Sequence, residues 1–138
     1  MNIIDFIVCD DIRHEIGNKN TIIGAYDEEL TFIEQDSKEK DTWPKVLKLG
    51  FFVRVKLLEE DPLPDELTLE FIHQEKIFSS VKVKIQASTK VHLLGFSLVN
   101  NNFKIPGSGD IIFKLKLFKN GQLIFDESPE YKLSVNLN

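Results

Sequence analysis

The stretch DIIFKLKLF, residues 110–118, decides the fold. Ile111, Phe113, Leu115 and Leu117 fall on one side of it, and Ile112, Lys114, Lys116 and Phe118 on the other. Side chains along a strand point alternately to opposite faces, whereas a helix repeats every three to four residues, so this period assigns a strand with one dry and one wet face. The same period recurs along the chain. LGFFVRVKL sets Leu49, Phe51, Val53, Val55 and Leu57 on one face, VKVKIQA does so with Val81, Val83, Ile85 and Ala87, and YKLSVNLN with Tyr131, Leu133, Val135 and Leu137. TIIGAY, ELTLEFI and VHLLGFSLV read as further strands, the last apolar on both faces as a central strand is.

Helical periodicity is weak throughout. DSKEKDTWPKVL is interrupted by Pro44, and DDIRHEIG is short, with Asp10 as a possible N-cap and Gly17 at the far end. The fold class expected is all-β: a single antiparallel β-sandwich of about eight or nine strands spanning 1–138, with at most one short helix near residues 36–43. Turn chemistry agrees. Asn120-Gly121 is the strongest short hairpin signal in the chain. A two-residue loop there puts Leu117 opposite Ile124 and Lys116 opposite Phe125, mixing polar with apolar. A three-residue loop with Gly121 as a bulge pairs Leu117 with Leu123 and Leu115 with Phe125, and that register is the one expected. EEDPLPDE (59–66) is a loop, since two prolines remove donors and its carboxylates repel each other.

Composition restricts the function classes. The chain has 138 residues, 42% hydrophobic and 28% charged, with eleven Phe and one Cys. A lone Cys9 in the apolar run FIVC excludes an internal disulfide and a cysteine-rich zinc site, and the neighbouring Asp10 and Asp11 disfavour a reactive thiolate. A net charge of −5 makes nucleic acid an unlikely partner. No apolar run reaches the roughly 20 residues that span a bilayer. The N-terminal MNIIDFIVCDD lacks the basic start and cleavage site of a signal peptide, so the expected setting is cytoplasmic, with no membrane partner.

The densest early charge, Asp10 to Lys19, lies between FIVC and TIIGAY. Placing residues 3–16 on one strand and 20–33 on its neighbour, with Gly17, Asn18 and Lys19 at the turn, separates two faces. Ile4, Phe6, Val8, Ile12 and Ile16 share one, interrupted by Asp10 and His14, while Asp11, Arg13 and Glu15 alternate sign on the other. A functional reading makes Asp10, Asp11, His14 and Glu15 a metal or acid–base site. Neither the carboxylate spacing of a calcium loop nor the paired histidines of a zinc hydrolase is present, so the hairpin reading is preferred.

The segments CDDIRHEIGNKNTIIGAYDEELTF, LKLGFFVRV and IPGSGDIIFKLKLFKNGQLIFDE resemble a family of small bacterial proteins known as a domain of unknown function. Its members share a Cys-Asp-Asp-x-Arg … Asn-Lys … Gly-x-Tyr opening and a Pro-Gly hairpin close. The resemblance implies a compact β-sandwich and brings no established reaction, ligand or catalytic residue.

Other constellations are sparse. His92 shares a face with Leu94, Phe96 and Leu98, as a core histidine does, and His73 ends a strand. Ser108 in PGSGD lacks the strand-to-helix elbow of a nucleophile. Lys82, Lys84, Lys114 and Lys116, with Lys48, Arg54 and Lys56, make a basic platform if their strands share a sheet. The reading is a non-catalytic protein-binding or accessory module of the bacterial cytoplasm without cofactor. Its partner-binding candidates are Arg13, Lys82, Lys84, Lys114 and Lys116, and strand addition or self-association through an edge strand is the expected mode. The alternative is a small metal-dependent enzyme or calcium-binding sandwich using Asp10, Asp11, His14 and Glu15.

Overall fold

Alternation along residues 109–119 produces the strand about which the molecule is organised. In a computed structural model describing residues 1–33, 42–86 and 89–138, ten strands form: β1 (Asn2–Glu15), β2 (Lys19–Tyr26), β3 (Glu29–Phe32), β4 (Lys45–Lys56), β5 (Glu66–His73), β6 (Lys76–Lys84), β7 (Leu93–Ile105), β8 (Gly109–Lys119), β9 (Gln122–Glu127) and β10 (Lys132–Leu137). One sheet runs β2-β1-β4-β7 and the other β3-β10-β8-β5-β6. β8 serves three neighbours. β5 pairs along one edge at Ile111 to Phe118, while β10 and β9 divide the other edge between them.

The two sheets meet through the residues that alternation selected. Leu49, Phe51, Val53, Val55 and Leu57 are buried from one layer; Ile111, Phe113, Leu115 and Leu117, with Leu67, Leu69 and Phe71, are buried from the other. Rings cross the interface: Phe6 to Phe113 at 4.8 Å between centroids, Phe51 to Phe71 at 5.0 Å, and Phe103 to Phe71 at 5.0 Å and 74°. Tilted and edge-on pairs of this kind contribute beyond the area they bury, because the ring edge is positive and the face negative.

The expected all-β sandwich is the observed fold, with three departures among the described residues and one expectation that falls outside them. The strand count is ten, because the chain breaks at Asp27 and Glu28 and carries β3 into the opposite sheet instead of continuing β2. β3 pairs parallel to β10, the one parallel pair among the described strands. The helix expected near 36–43 falls largely on residues 34–41, outside those described, and no described residue is helical. The Asn120-Gly121 hairpin has a two-residue loop: Lys119 pairs with Gln122, and Asn120 and Gly121 take φ of 49° and 78°, as a type I′ turn requires. The bulge lies further along, where Phe118 faces Leu123 but Leu117 faces Phe125. The inserted residue restores the register, so that Phe125 joins Leu117 in the core.

Truncating the centre of this interface tests the packing. Phe113→Ala is expected to lower the unfolding free energy by about 3–5 kcal/mol in chemical denaturation, whereas Lys82→Ala on the wet face changes it by less than about 0.5 kcal/mol.

Candidate functional site: the open side between β6 and β7

LLGFSLVNNNF, residues 93–103, contains eleven consecutive residues without a charge. In sequence the overlapping VHLLGFSLV, residues 91–99, reads as a central strand. Instead the uncharged segment forms most of β7, the terminal strand of its sheet, paired with β4 on one side and with no strand on the other among the described residues. Leu94 and Phe103 point into the core, while Leu93 and Val99 remain 43% and 40% exposed. Between Leu47–Phe103 and Leu49–Asn100 the strand carries one extra residue, and the Asn102 amide donates to the Asn100 side-chain oxygen at 2.9 Å. The bulge ends the regular ladder and leaves Leu93 to Val99 as an uncharged free edge among the described residues.

Across the sandwich, β6 is the terminal strand of the other sheet. A cleft of about 460 Å³ opens between these two edges. Its floor contains Phe51, Phe71 and Phe103, and its rim carries Ser79 and Ser80 from β6 and the three asparagines Asn100 to Asn102 from β7. An apolar floor beneath a few hydroxyl and amide groups is the usual constitution of a ligand pocket, and the volume falls within the roughly 300–1,000 Å³ range of such sites.

The acidic cluster of the first hairpin does not converge. β1 pairs with β4 only as far as Cys9–Gly50, whereas its pairing with β2 continues to Glu15–Lys19. The hairpin therefore runs beyond the sheet and, Ile12 apart, is mostly wet on both faces, which is why charges fill it. Asp10 accepts a hydrogen bond from the Tyr26 hydroxyl at 2.6 Å and lies over Gly24, where a side chain would collide with it. Asp11 pairs with Lys48 at 3.0 Å and accepts from the Ile12 amide; these bonds, Lys48 first, hold its carboxyl below the ordinary range. Glu15 accepts from Thr21 at 3.1 Å, and Arg13 and His14 are exposed. Among the described residues no group of three or more His, Cys, Asp and Glu side chains gathers as a metal would need. In the acidic loop, Asp61 accepts from the Leu58 amide and the Met1 amine, and Asp65 from the Asn120 amide.

Two placements within that hairpin differ from the expected faces. Ile4 is the extra residue of a bulge between Ile3 and Asp5 and turns outward, and Ile16 sits in the turn at 95% exposure. Cys9 and Ile12 are buried, yet outside the inter-sheet core, because both lie over Gly50, where any side chain would crowd them. Burial pushes the Cys9 thiol up, and the neighbouring aspartates add to the effect, so it stays protonated.

The basic residues divide between the layers. Lys48, Arg54 and Lys56 belong to β4, in the sheet opposite to that of Lys82, Lys84, Lys114 and Lys116, so no single platform forms. Acids interleave as well: Lys116 pairs with Glu70 at 3.1 Å, Lys114 with Asp126 at 3.3 Å, and Arg54 with Asp5. His92 is exposed just before β7 instead of lying in the core, and the His73 ring meets the Ser108 carbonyl at 2.8 Å. The sequence reading therefore missed the residues that line the cleft. The uncharged run and the asparagine triplet were its available signals.

Neither the protein-family models nor the curated proteins compared with the chain give a match. Among the described residues no helix is long and apolar enough to cross a membrane.

The Tyr26–Asp10 contact yields a titration. The Tyr26 hydroxyl is pushed up to about 12, by burial first and then by the Asp10 carboxylate, and burial also raises Tyr131 to about 12. Unfolded tyrosine ionises near 10. The unfolded chain thus loses these protons first, and the stabilisation present below pH 10 declines as pH rises from about 10 to 12. Native tyrosinate absorbance is expected to rise near pH 12 and that of the denatured chain near 10; coincident curves would contradict the contact.

Proposed function

We propose that the protein is a non-catalytic binding module of the bacterial cytoplasm that accepts an extended segment of a protein partner as an added strand along β7. The observation that carries this reading is the bare edge itself. An exposed strand edge presents unpaired amides and carbonyls to any passing chain, and proteins commonly blunt such edges with lysine, proline, bulges or short length. The other edges among the described residues are short, charged or interrupted. β3 has four residues, and β6 carries Lys76, Lys82 and Lys84. β9, which pairs only with β8, has six residues and ends in Asp126 and Glu127. β2 is uncharged from Asn20 to Tyr26, but its backbone is interrupted at Gly24, whose φ is 66°. β7 keeps seven uncharged residues, Leu93 to Val99, in regular ladder and with no positive φ among them. Strand addition uses main-chain hydrogen bonds for affinity and adjacent pockets for selectivity, and the cleft supplies such a pocket.

The bacterial setting and membership of the small bacterial family rest on the opening and closing segments that resemble it. The non-catalytic assignment is supported by the dispersal of the titratable groups: Asp10, Asp11 and Glu15 each have a separate local partner.

The double variant Leu93→Lys/Val99→Lys tests the reading, since it guards the edge while altering only half-exposed side chains. Immobilised full chain and variant are exposed to the same host lysate, and circular dichroism confirms that both fold. Proteins retained by the parent and lost by at least tenfold from the variant, with hydrogen-exchange protection appearing in β7, are the expected result. Identical retained sets would overturn it.

A further inference from the structure

We propose that the β6–β7 side selects an acidic extended segment and takes one bulky apolar side chain of it into the cleft. This rests on the strand-addition reading and names the chemistry of the occupant. A strand laid beside β7 continues that sheet, so its alternate side chains continue the inward row of Leu94, Phe96 and Leu98. Inward there means over Ser79 and Ser80, at the mouth of the cleft. The floor of Phe51, Phe71 and Phe103 offers ring edges and faces to an aromatic or branched side chain, while the rim hydroxyls and amides can bond the backbone beside it.

Charge fixes the rest. In a chain of net charge −5, β6 and β7 together carry Lys76, Lys82, Lys84 and Lys104 and no carboxylate. Lys84 stands opposite Glu66 in the ladder, but no ion pair engages Lys76, Lys82 or Lys104 among the described residues. The open side therefore presents a positive border in an otherwise acidic molecule, which speeds encounter with acidic chains and disfavours basic ones. A second copy offers no complement through the same edge, since β7 has Lys104 and no acid.

The probe is a displayed library of random 12-residue peptides selected on the immobilised full chain. The best binder is then synthesised and titrated against the parent and three variants: Ser80→Trp, which fills the mouth of the cleft; Lys82→Glu/Lys104→Glu; and Leu93→Lys/Val99→Lys. Enriched peptides are expected to be acidic around one aromatic or large aliphatic residue. Affinity should fall at least tenfold in Ser80→Trp and in the charge-reversed variant, and salt should weaken binding to the parent more than to the reversed form. Neutral or basic winners, or unchanged affinity in both of those variants, would overturn the inference while loss in the edge variant left strand addition standing. Binding that survives the edge variant would overturn both. A dimer of the full chain in sedimentation, dispersed by Leu93→Lys/Val99→Lys, would also overturn it, because the occupant would then be a second copy.

Discussion

Every amide and carbonyl in a sheet requires a partner, and two stacked open sheets leave their terminal strands with one side unsatisfied. That constraint governs the molecule more than any single side chain does. The aromatic layer of Phe51, Phe71, Phe103 and Phe113 locks the sheets face to face, with neighbouring centroids 5.0–6.0 Å apart. Once locked, the sheets cannot roll together to close a barrel, so β2, β7, β3 and β6 remain edges, as does β9, which pairs only with β8. How each edge is treated then determines what the surface can do. β3, β6 and β9 are short or charged, β2 is interrupted at Gly24, and β7 is left plain.

Electrostatics follow the same geometry. Most described carboxylates in the strands are held locally: Asp5 by Arg54, Asp11 by Lys48, Glu70 by Lys116, and Asp110 by Lys132 and Ser134. Exposed pairs of this kind contribute little stability individually, with a median of about 0–1 kcal/mol. Their effect is on position. They neutralise parts of the outer faces, while Lys76, Lys82 and Lys104 on β6 and β7 stand beside Ser79, Ser80 and the three asparagines, which give polar contacts without adding negative charge. The bulge at Asn101 and Asn102 belongs to this arrangement, since it bounds the regular ladder at Asn100.

The fold was legible because burial obeys a period of two. Phe113 and Leu115 could be assigned to the core from DIIFKLKLF alone, and both are buried to 1% exposure or less. Local irregularities were less legible. Nothing in QLIFDE marks Ile124 as the residue that shifts the β8–β9 register, because the shift is driven by Phe125 reaching a core present only after the sheets pack. Likewise Gln74 and Glu75 take φ of 49° and 65° without the glycine that usually signals such a turn. The candidate site was misread for an instructive reason. A strand apolar on both faces is ordinarily central, and local pattern cannot distinguish covering by a neighbouring strand from an edge left uncovered. Such a conflict between local pattern and position is expected where function overrides the usual rules. Conversely, the charges of Asp10 to Lys19 suggested a site, yet they occupy a hairpin extension that leaves its own sheet.

The most direct measurement is amide hydrogen exchange of the isolated full chain, resolved residue by residue across Leu93 to Val99. Amides directed at β4 are hydrogen-bonded and those directed away are not, so protection should alternate along the segment, with fast exchange at every second position. Uniform slow exchange across all seven would mean that something already covers the edge, and the account of β7 as the receptive strand would fail.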